Sequence, residues 1–197
     1  MRVGLTPRAR GDLDVFHVML REWNQRLNLV GASTLDQFWR RHVVDSAQLR
    51  WWAPEARVWA DLGSGAGVPG LVLAILLKGA PGAQVHLIES VAKRCRFLEA
   101  VAGTLDLPAT VHNARAESLA LEADAVTARA CAPLGRLLGF AKPYLDRGAT
   151  GVFLKGQDAD REIAEARQGW RFDCRQEASL SDPRGRVLFI ERLARAR

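Results

Sequence analysis

Val58-Trp59-Ala60-Asp61-Leu62-Gly63-Ser64-Gly65-Ala66-Gly67-Val68-Pro69-Gly70 opens apolar, turns acidic at Asp61 and then places four glycines in eight residues. Leu71-Val72-Leu73-Ala74-Ile75-Leu76-Leu77 follows and reads as a buried helix. Strand, glycine turn and helix, in that order, present backbone N–H groups and a helix N-terminus to a ligand. Each glycine removes a Cβ that would hold the ligand off the backbone. Pro69 suits a first helical turn, where no N–H partner is needed. The pattern predicts a nucleotide-like cofactor, because a plain turn does not need so many glycines.

The surrounding chain bounds what such a cofactor could serve. A length of 197 residues, with 48% hydrophobic and 25% charged residues, fits one globular domain with a sizeable core. The longest apolar run, Leu71 to Leu77, is far short of the roughly 20 residues that span a bilayer. The N-terminus lacks the apolar centre of a signal peptide. Cys95, Cys131 and Cys174 are scattered and form no C-x-x-C, which argues against a disulfide framework and against a metal site. A cytoplasmic location without membrane association is therefore expected. The net charge is +6, and arginine supplies 24 of the 28 basic residues. Arginine grips phosphate with a planar fork, so this balance points to nucleic acid, although compositional bias alone would give the same numbers.

Taken in order, residues 8–23 show helical periodicity, with Leu13, Phe16, Leu20 and Trp23 on one side. Asn24 and Asn28 would share a face if that helix continues, as a recognition surface or as a cap before Gly31. Ser33 or Thr34 can cap a second helix running to about Trp52, where Pro54 forces an end. On it lie Arg41, His42 and Asp45, readable as a phosphate patch, a His–Asp pair, or a solvated face. From Arg57 onward strands and helices alternate. Strands are expected at 58–61, 85–89, 110–112, 124–127, 150–154, 172–176 and 187–192, with helices at 69–78, 91–105, 134–145 and 159–167. Such alternation implies an α/β fold with a doubly wound, mostly parallel, seven-stranded sheet. The last two strands lack a helical crossover, so an antiparallel end is expected. The organisation reads as one domain over 1–197: an N-terminal helical extension (1–56), a Rossmann-like core (57–192) and a frayed basic tail (193–197).

Two cofactor templates fit the glycines. Gly65-x-Gly67-x-x-Gly70, with Glu89 nineteen residues on, matches a dinucleotide fingerprint and allows an NAD(P)-dependent oxidoreductase. Asp61-x-Gly63-x-Gly65-x-Gly67 resembles the first motif of class I, Rossmann-like, S-adenosyl-L-methionine-dependent methyltransferases. The second template is preferred because it uses Asp61, because the chain has no room for a separate substrate domain, and because the antiparallel sheet end matches. A methyltransferase-like fold that only binds RNA is the non-enzymatic alternative.

The chain further resembles the bacterial 16S ribosomal RNA guanine-N7 methyltransferases known as RsmG or GidB. The matching pieces are Trp23-Asn24-x-x-x-Asn28-Leu29, Arg41-His42-x-x-Asp45-Ser46, Asp61-Leu-Gly-Ser-Gly-Ala-Gly-x-Pro-Gly70 and Glu89-Ser90-x-x-Lys93-Arg94-x-x-Phe97-Leu98. Arg115-Ala116-Glu117, Arg129-Ala130 and Leu154-Lys155-Gly156 follow in family order. Against that pattern the chain starts late and is short between Glu117 and Arg129. The resemblance implies methyl transfer from S-adenosyl-L-methionine to guanine N7 of 16S ribosomal RNA, free or in a small-subunit particle, by a monomer without metal. It implies cofactor contacts from Asp61, Gly63, Gly65, Gly67, Val68, Glu89, Ala116, Glu117 and Arg129. Asp61 would hold the amino-acid moiety, Glu89 the ribose hydroxyls, and Ala116 and Glu117 the adenine end. Arg129 and Lys155 are the candidate catalytic residues; Asn24, Asn28, Arg41, His42 and Lys155 are candidate RNA contacts. Guanine N7 carries a lone pair and needs no deprotonation, so the chemistry asks for alignment rather than a general base.

Overall fold

The computed structural model describes residues 5–119 and 121–196. Its centre is one seven-stranded sheet in the order β3-β2-β1-β4-β5-β7-β6. The strands are β1 (Val58–Leu62), β2 (Gln84–Glu89), β3 (Ala109–Asn113), β4 (Ala125–Arg129), β5 (Thr150–Lys155), β6 (Trp170–Ala178) and β7 (Arg186–Arg195). The first five are parallel, and β7 pairs antiparallel with both β5 and β6. This is the sheet the sequence implied, closed by a hairpin because no crossover helix separates its last strands.

One face of the sheet is covered by α4 (Gly70–Leu77) and α5 (Ala92–Thr104), the other by α6 (Leu134–Leu145) with α7 (Ala159–Ala166) beside it. Helix α4 buries Gly70 through Ile75, and Leu77. A helix can be apolar all round only if both sides are covered. The sheet covers one side of α4. Two further helices, α1 (Pro7–Leu27) and α3 (Asp45–Trp52), cover the other.

Helix α1 starts where Thr6 Oγ1 accepts the Ala9 N–H at 3.1 Å, with Pro7 at the first helical position. It buries Ala9, Leu13, Phe16 and Leu20, and Phe16 meets Phe38 edge-on at 5.6 Å. It ends at Leu27. Asn28 takes a left-handed conformation (φ 46°) and donates its N–H to the Asn24 carbonyl.

Of the two readings of Asn24 and Asn28, the structure takes the cap: Asn28 ends α1, and the Asn24 amide turns to Val30, donating to its carbonyl at 3.1 Å and accepting its N–H at 2.9 Å. Two elements differ from the sequence expectation. The second helix is not continuous. A short α2 (Ala32–Leu35), opened by Gly31 rather than by Ser33 or Thr34, is followed by a wide π-type turn over Trp39–Val44 and then α3. The turn widens where main-chain carbonyls are drawn elsewhere. The Arg41 carbonyl accepts from the Arg129 side chain, and the His42 carbonyl accepts the Ser46 hydroxyl at 2.6 Å. Finally, the expected tail at 193–197 is strand as far as Arg195, while Arg197 lies outside the described residues. The basic residues hid the strand end: within 192–195 only Leu193 is buried, and the Arg195 guanidinium lies 3.8 Å from the Trp170 ring centroid.

Candidate active site

A cleft of about 850 Å³ opens at the C-terminal ends of β1, β4 and β5, where open α/β sheets place their ligands. Its floor is the loop after β1. Gly63, Gly65 and Gly67 all have positive φ there. The Gly63 and Ser64 amides donate to the Ile88 carbonyl at 2.8 and 3.0 Å, which ties the loop across to β2. A Cβ on Gly63 would come within 2.7 Å of Cys131 Sγ. A Cβ on Gly70 would come within 2.3 Å of Leu87 Cδ2 and 2.5 Å of Asp61 Oδ2. These two glycines let the loop and the start of α4 sit close against their neighbours.

Two acids brace the loop from behind. Asp61 is 1% exposed; its Oδ2 accepts the Gly70 N–H at 3.1 Å, and its Oδ1 is buried without a hydrogen-bond partner. Burial pushes its pKa up to about 7, against the lowering influence of the Ser64 and Gly70 bonds. Glu89 ends β2; one of its carboxylate oxygens accepts the Gly65 N–H at 3.0 Å and the other the Val91 N–H at 2.8 Å.

The wall opposite the loop comes from Arg129 and the π-type turn. Arg129 Nη1 donates to the Arg41 carbonyl at 2.6 Å and to Asp45 Oδ2 at 3.2 Å; Nη2 meets His42 Nδ1 at 2.9 Å. His42 is buried, and its pKa is pushed down to about 3 by burial and by Arg129 and Arg41. The ring is therefore neutral, and a ring whose Nδ1 accepts carries its proton on Nε2. Nε2 is buried without a partner. The other Asp45 oxygen accepts the Ser181 hydroxyl at 2.6 Å and lies 3.2 Å from Gln48 Nε2. Arg129, the π-type turn and the β6–β7 loop are thus joined through one carboxylate. On the far side, Lys155 Nζ lies 2.5 Å from Glu162 and donates to the Ala132 carbonyl at 3.0 Å.

The cleft is lined by Gly63, Gly65, Val68, Arg41, His42, Arg129 and Lys155 among the residues singled out from sequence. Asp61, Gly67 and Glu89 lie behind that lining. Ala116 and Glu117 fall in a short 3-10 turn off β3: Ala116 is buried and its carbonyl accepts the Tyr144 hydroxyl at 3.1 Å, while Glu117 is exposed beside Arg115. Asn24 and Asn28 close α1. Sequence reasoning missed Asp182 and Ser181, having treated 181–185 only as a connection. The antiparallel register was the available signal: it sets Lys155 opposite Arg186 and so brings that connection to the cleft.

The arrangement suits group transfer by positioning. A histidine with a pKa near 3 is too weak a base to take a proton at neutral pH, and the lining cysteine, Cys131, has its pKa raised by burial and so stays a thiol. Among the described residues no group of three or more His, Cys, Asp or Glu could hold a metal, and no helix is long and apolar enough to cross a membrane.

Comparison with known proteins agrees in direction. A family model described as "GidB: rRNA small subunit methyltransferase G" matches residues 10–186. Ribosomal RNA small subunit methyltransferase G of Caulobacter vibrioides (strain NA1000 / CB15N) is 60% identical over 195 residues, 99% of this chain and 90% of that protein. The protein of the same name from Parvibaculum lavamentivorans is 47% identical over 196 residues, 96% of this chain and 87% of that one. Among solved structures, the SAH-bound methyltransferase PaMTH1 of Podospora anserina shares the fold. Its TM-score is 0.62 at 14% identity, over 91% of this chain and 87% of that one. Methyltransferase yhhF of Escherichia coli has a TM-score of 0.55 at 20% identity, over 78% of this chain and 87% of that one.

Proposed function

The chain belongs to the rRNA small subunit methyltransferase G family, and from that premise we propose that it methylates N7 of a guanine in 16S ribosomal RNA, using S-adenosyl-L-methionine. The observation that carries the N7 assignment is the state of the cleft's imidazole. His42 is neutral, very weakly basic and occupied by Arg129. N7 attacks through a lone pair that carries no proton, so the acceptor fits a site of this kind without a general base.

The residues present fit the cofactor. Asp61 offers a buried, unpartnered carboxylate oxygen to an ammonium group. Glu89 ends β2 with lone pairs left, beside its two backbone donors, to accept ribose hydroxyls. Gly63, Gly65 and Val68 form the surface along which the cofactor would lie, with Gly67 shaping the loop behind them and Ala116 and Glu117 toward its adenine end. The bound cofactor supplies an electrophilic methyl on a sulfonium.

The chain's own contribution is alignment. Arg129 is fixed by two groups of the π-type turn and by Asp45 at the start of α3, and would meet the guanine at O6 or at its phosphate, because a cation against the ring would oppose the positive charge that N7 gains. Lys155, held by Glu162, closes the opposite side.

Calorimetry with S-adenosyl-L-methionine, with NAD as control, is the first test: binding of the former alone is expected, and binding of NAD instead overturns the reading. The second test is methyl incorporation into 16S ribosomal RNA, as naked transcript and as small-subunit particle, with the modified atom mapped. Binding of neither cofactor would leave only an RNA-binding protein with this fold, whereas cofactor binding without methyl transfer to either substrate overturns the 16S ribosomal RNA assignment. Arg129→Ala is expected to lower turnover about a hundredfold or more while the protein stays folded; near-normal turnover removes Arg129 from the mechanism.

A further inference from the structure

Among the described residues four cations line the cleft, and each stands beside a carboxylate: Arg41 with Asp182, Arg94 with Glu89, Arg129 with Asp45, and Lys155 with Glu162. An anionic substrate entering this cleft must therefore displace a carboxylate or share its cation. Three of the pairs resist that. Arg129 and Lys155 are largely buried and also bind backbone carbonyls. Glu89, the partner of Arg94, is held by two backbone amides and cannot move aside, and Arg94, as exposed as Arg41 but 3.8 Å from Glu89, offers an anion one cation and no second beside it.

The fourth pair differs. Arg41 is 42% exposed, and its Nη1 lies 2.9 Å from Asp182 Oδ2. Arg184, 71% exposed, approaches Asp182 Oδ1 from the other side at 3.5 Å. Two arginines thus converge on one carboxylate at the rim, leaving the group with a net positive charge. The backbones that present them are fixed from below. Arg40 Nε donates to the Ser181 carbonyl at 2.9 Å, Gln48 accepts the Leu180 N–H at 2.9 Å, and the Arg41 carbonyl holds Arg129. A phosphodiester spreads one negative charge over two oxygens spaced for the arginine fork, and so can take the place of a carboxylate between these two side chains.

Resting on the RNA methyltransferase reading above, we propose that Arg41 and Arg184 form a seat for an RNA backbone phosphate at the cleft rim, which the Asp182 carboxylate occupies until RNA arrives. Because Arg41 also supplies the carbonyl that fixes Arg129, the seated phosphate is the one adjoining the target nucleotide. Asp182 holds the arginines in place in the free protein and slows capture of wrong anions, since any competitor must displace it.

The test is the salt dependence of binding of the full chain to a 16S ribosomal RNA transcript, measured for the unaltered protein, Asp182→Asn and Arg184→Ala, with thermal melting as the check on folding. Freeing the seat in Asp182→Asn is expected to tighten binding about threefold to tenfold at low salt and to steepen the slope of log K against log salt by about 0.7 to 0.9. Arg184→Ala, which alters only an exposed side chain, is expected to weaken binding and flatten the slope by a similar amount, about 0.7 to 0.9. RNA binding by the unaltered protein with the same slope in both variants overturns the phosphate seat and leaves the methyltransferase reading standing. An unaltered protein that neither binds nor methylates RNA overturns both.

Discussion

Replacing Asp61 with asparagine sets stability against cofactor capture, and the structure gives the size of the effect. The carboxyl is 1% exposed, has one oxygen without a partner, and has its pKa raised from 3.8 to about 7. Between those values the folded protein keeps a proton that the unfolded chain has lost. Stability from this group is therefore complete below the unfolded pKa and is lost as pH rises to the folded one, at about 1.4 kcal/mol per pH unit. The accumulated cost of the ionised form above about pH 7 is on the order of 4 kcal/mol. His42 acts in the opposite sense. Its pKa falls from 6.5 to about 3, so its contribution is present above the unfolded value and is lost as pH falls toward the folded one. The two slopes oppose each other between about pH 4 and 6.5.

Asp61→Asn keeps an oxygen for the Gly70 N–H and removes only the first of these slopes. Urea unfolding of the cofactor-free protein is the assay. At about pH 8 the variant is expected to be more stable by up to about 4 kcal/mol; near pH 4 the difference should vanish, leaving the acid destabilisation from His42 uncovered. Calorimetry on the same samples is expected to show at least about a tenfold loss of S-adenosyl-L-methionine affinity. A variant less stable than the parent at pH 8, or a difference independent of pH, would refute the assignment of a raised pKa to Asp61. Unchanged cofactor affinity would remove Asp61 from the cofactor site.

Three other substitutions test the scaffold. Gly70→Ala drives a methyl into Leu87 and Asp61 and is expected to cost about 1–3 kcal/mol in urea unfolding; an unchanged midpoint would mean that α4 shifts freely. Asn24→Ala loses both bonds to Val30, a residue of the cleft, at about 1–2 kcal/mol, and amide hydrogen exchange at Val30 should speed up markedly; unaltered protection there counts against a positioning role for Asn24. Lys155→Met strands Glu162 beside the cleft and is expected to cost about 2–4 kcal/mol. Adding Glu162→Gln should return much of that loss, and additive losses in the double variant would show that the pair is not coupled.

The sheet and its helices were legible because their signals are local. The glycines after Asp61 mark the turn from β1 to α4, and the apolar spacing of 134–145 reproduces α6 from end to end. The antiparallel end of the sheet followed from the missing crossover. The π-type turn was not legible, since it depends on Arg129, 88 positions from the carbonyl it takes. The β6–β7 loop was missed for the same reason: Asp182 and Ser181 matter only once β7 has brought them beside β5. Strand β7 was read too short because its end past Arg192 carries a single buried apolar residue, Leu193, among exposed ones, and because Arg195 stacks on Trp170.

The apolar circumference of α4 bears on how the chain could be divided. In a fragment beginning at residue 57, the surface of α4 that now meets α1 and α3 would face water. Leu71, Val72, Ile75 and their neighbours would form a greasy patch directly behind the cofactor loop. Residues 5–56 are thus not an accessory that a minimal catalyst could shed. They are the roof of the helix on which the glycine loop is mounted, so shortening from the N-terminus should yield inclusion bodies, not a smaller enzyme with weaker RNA binding.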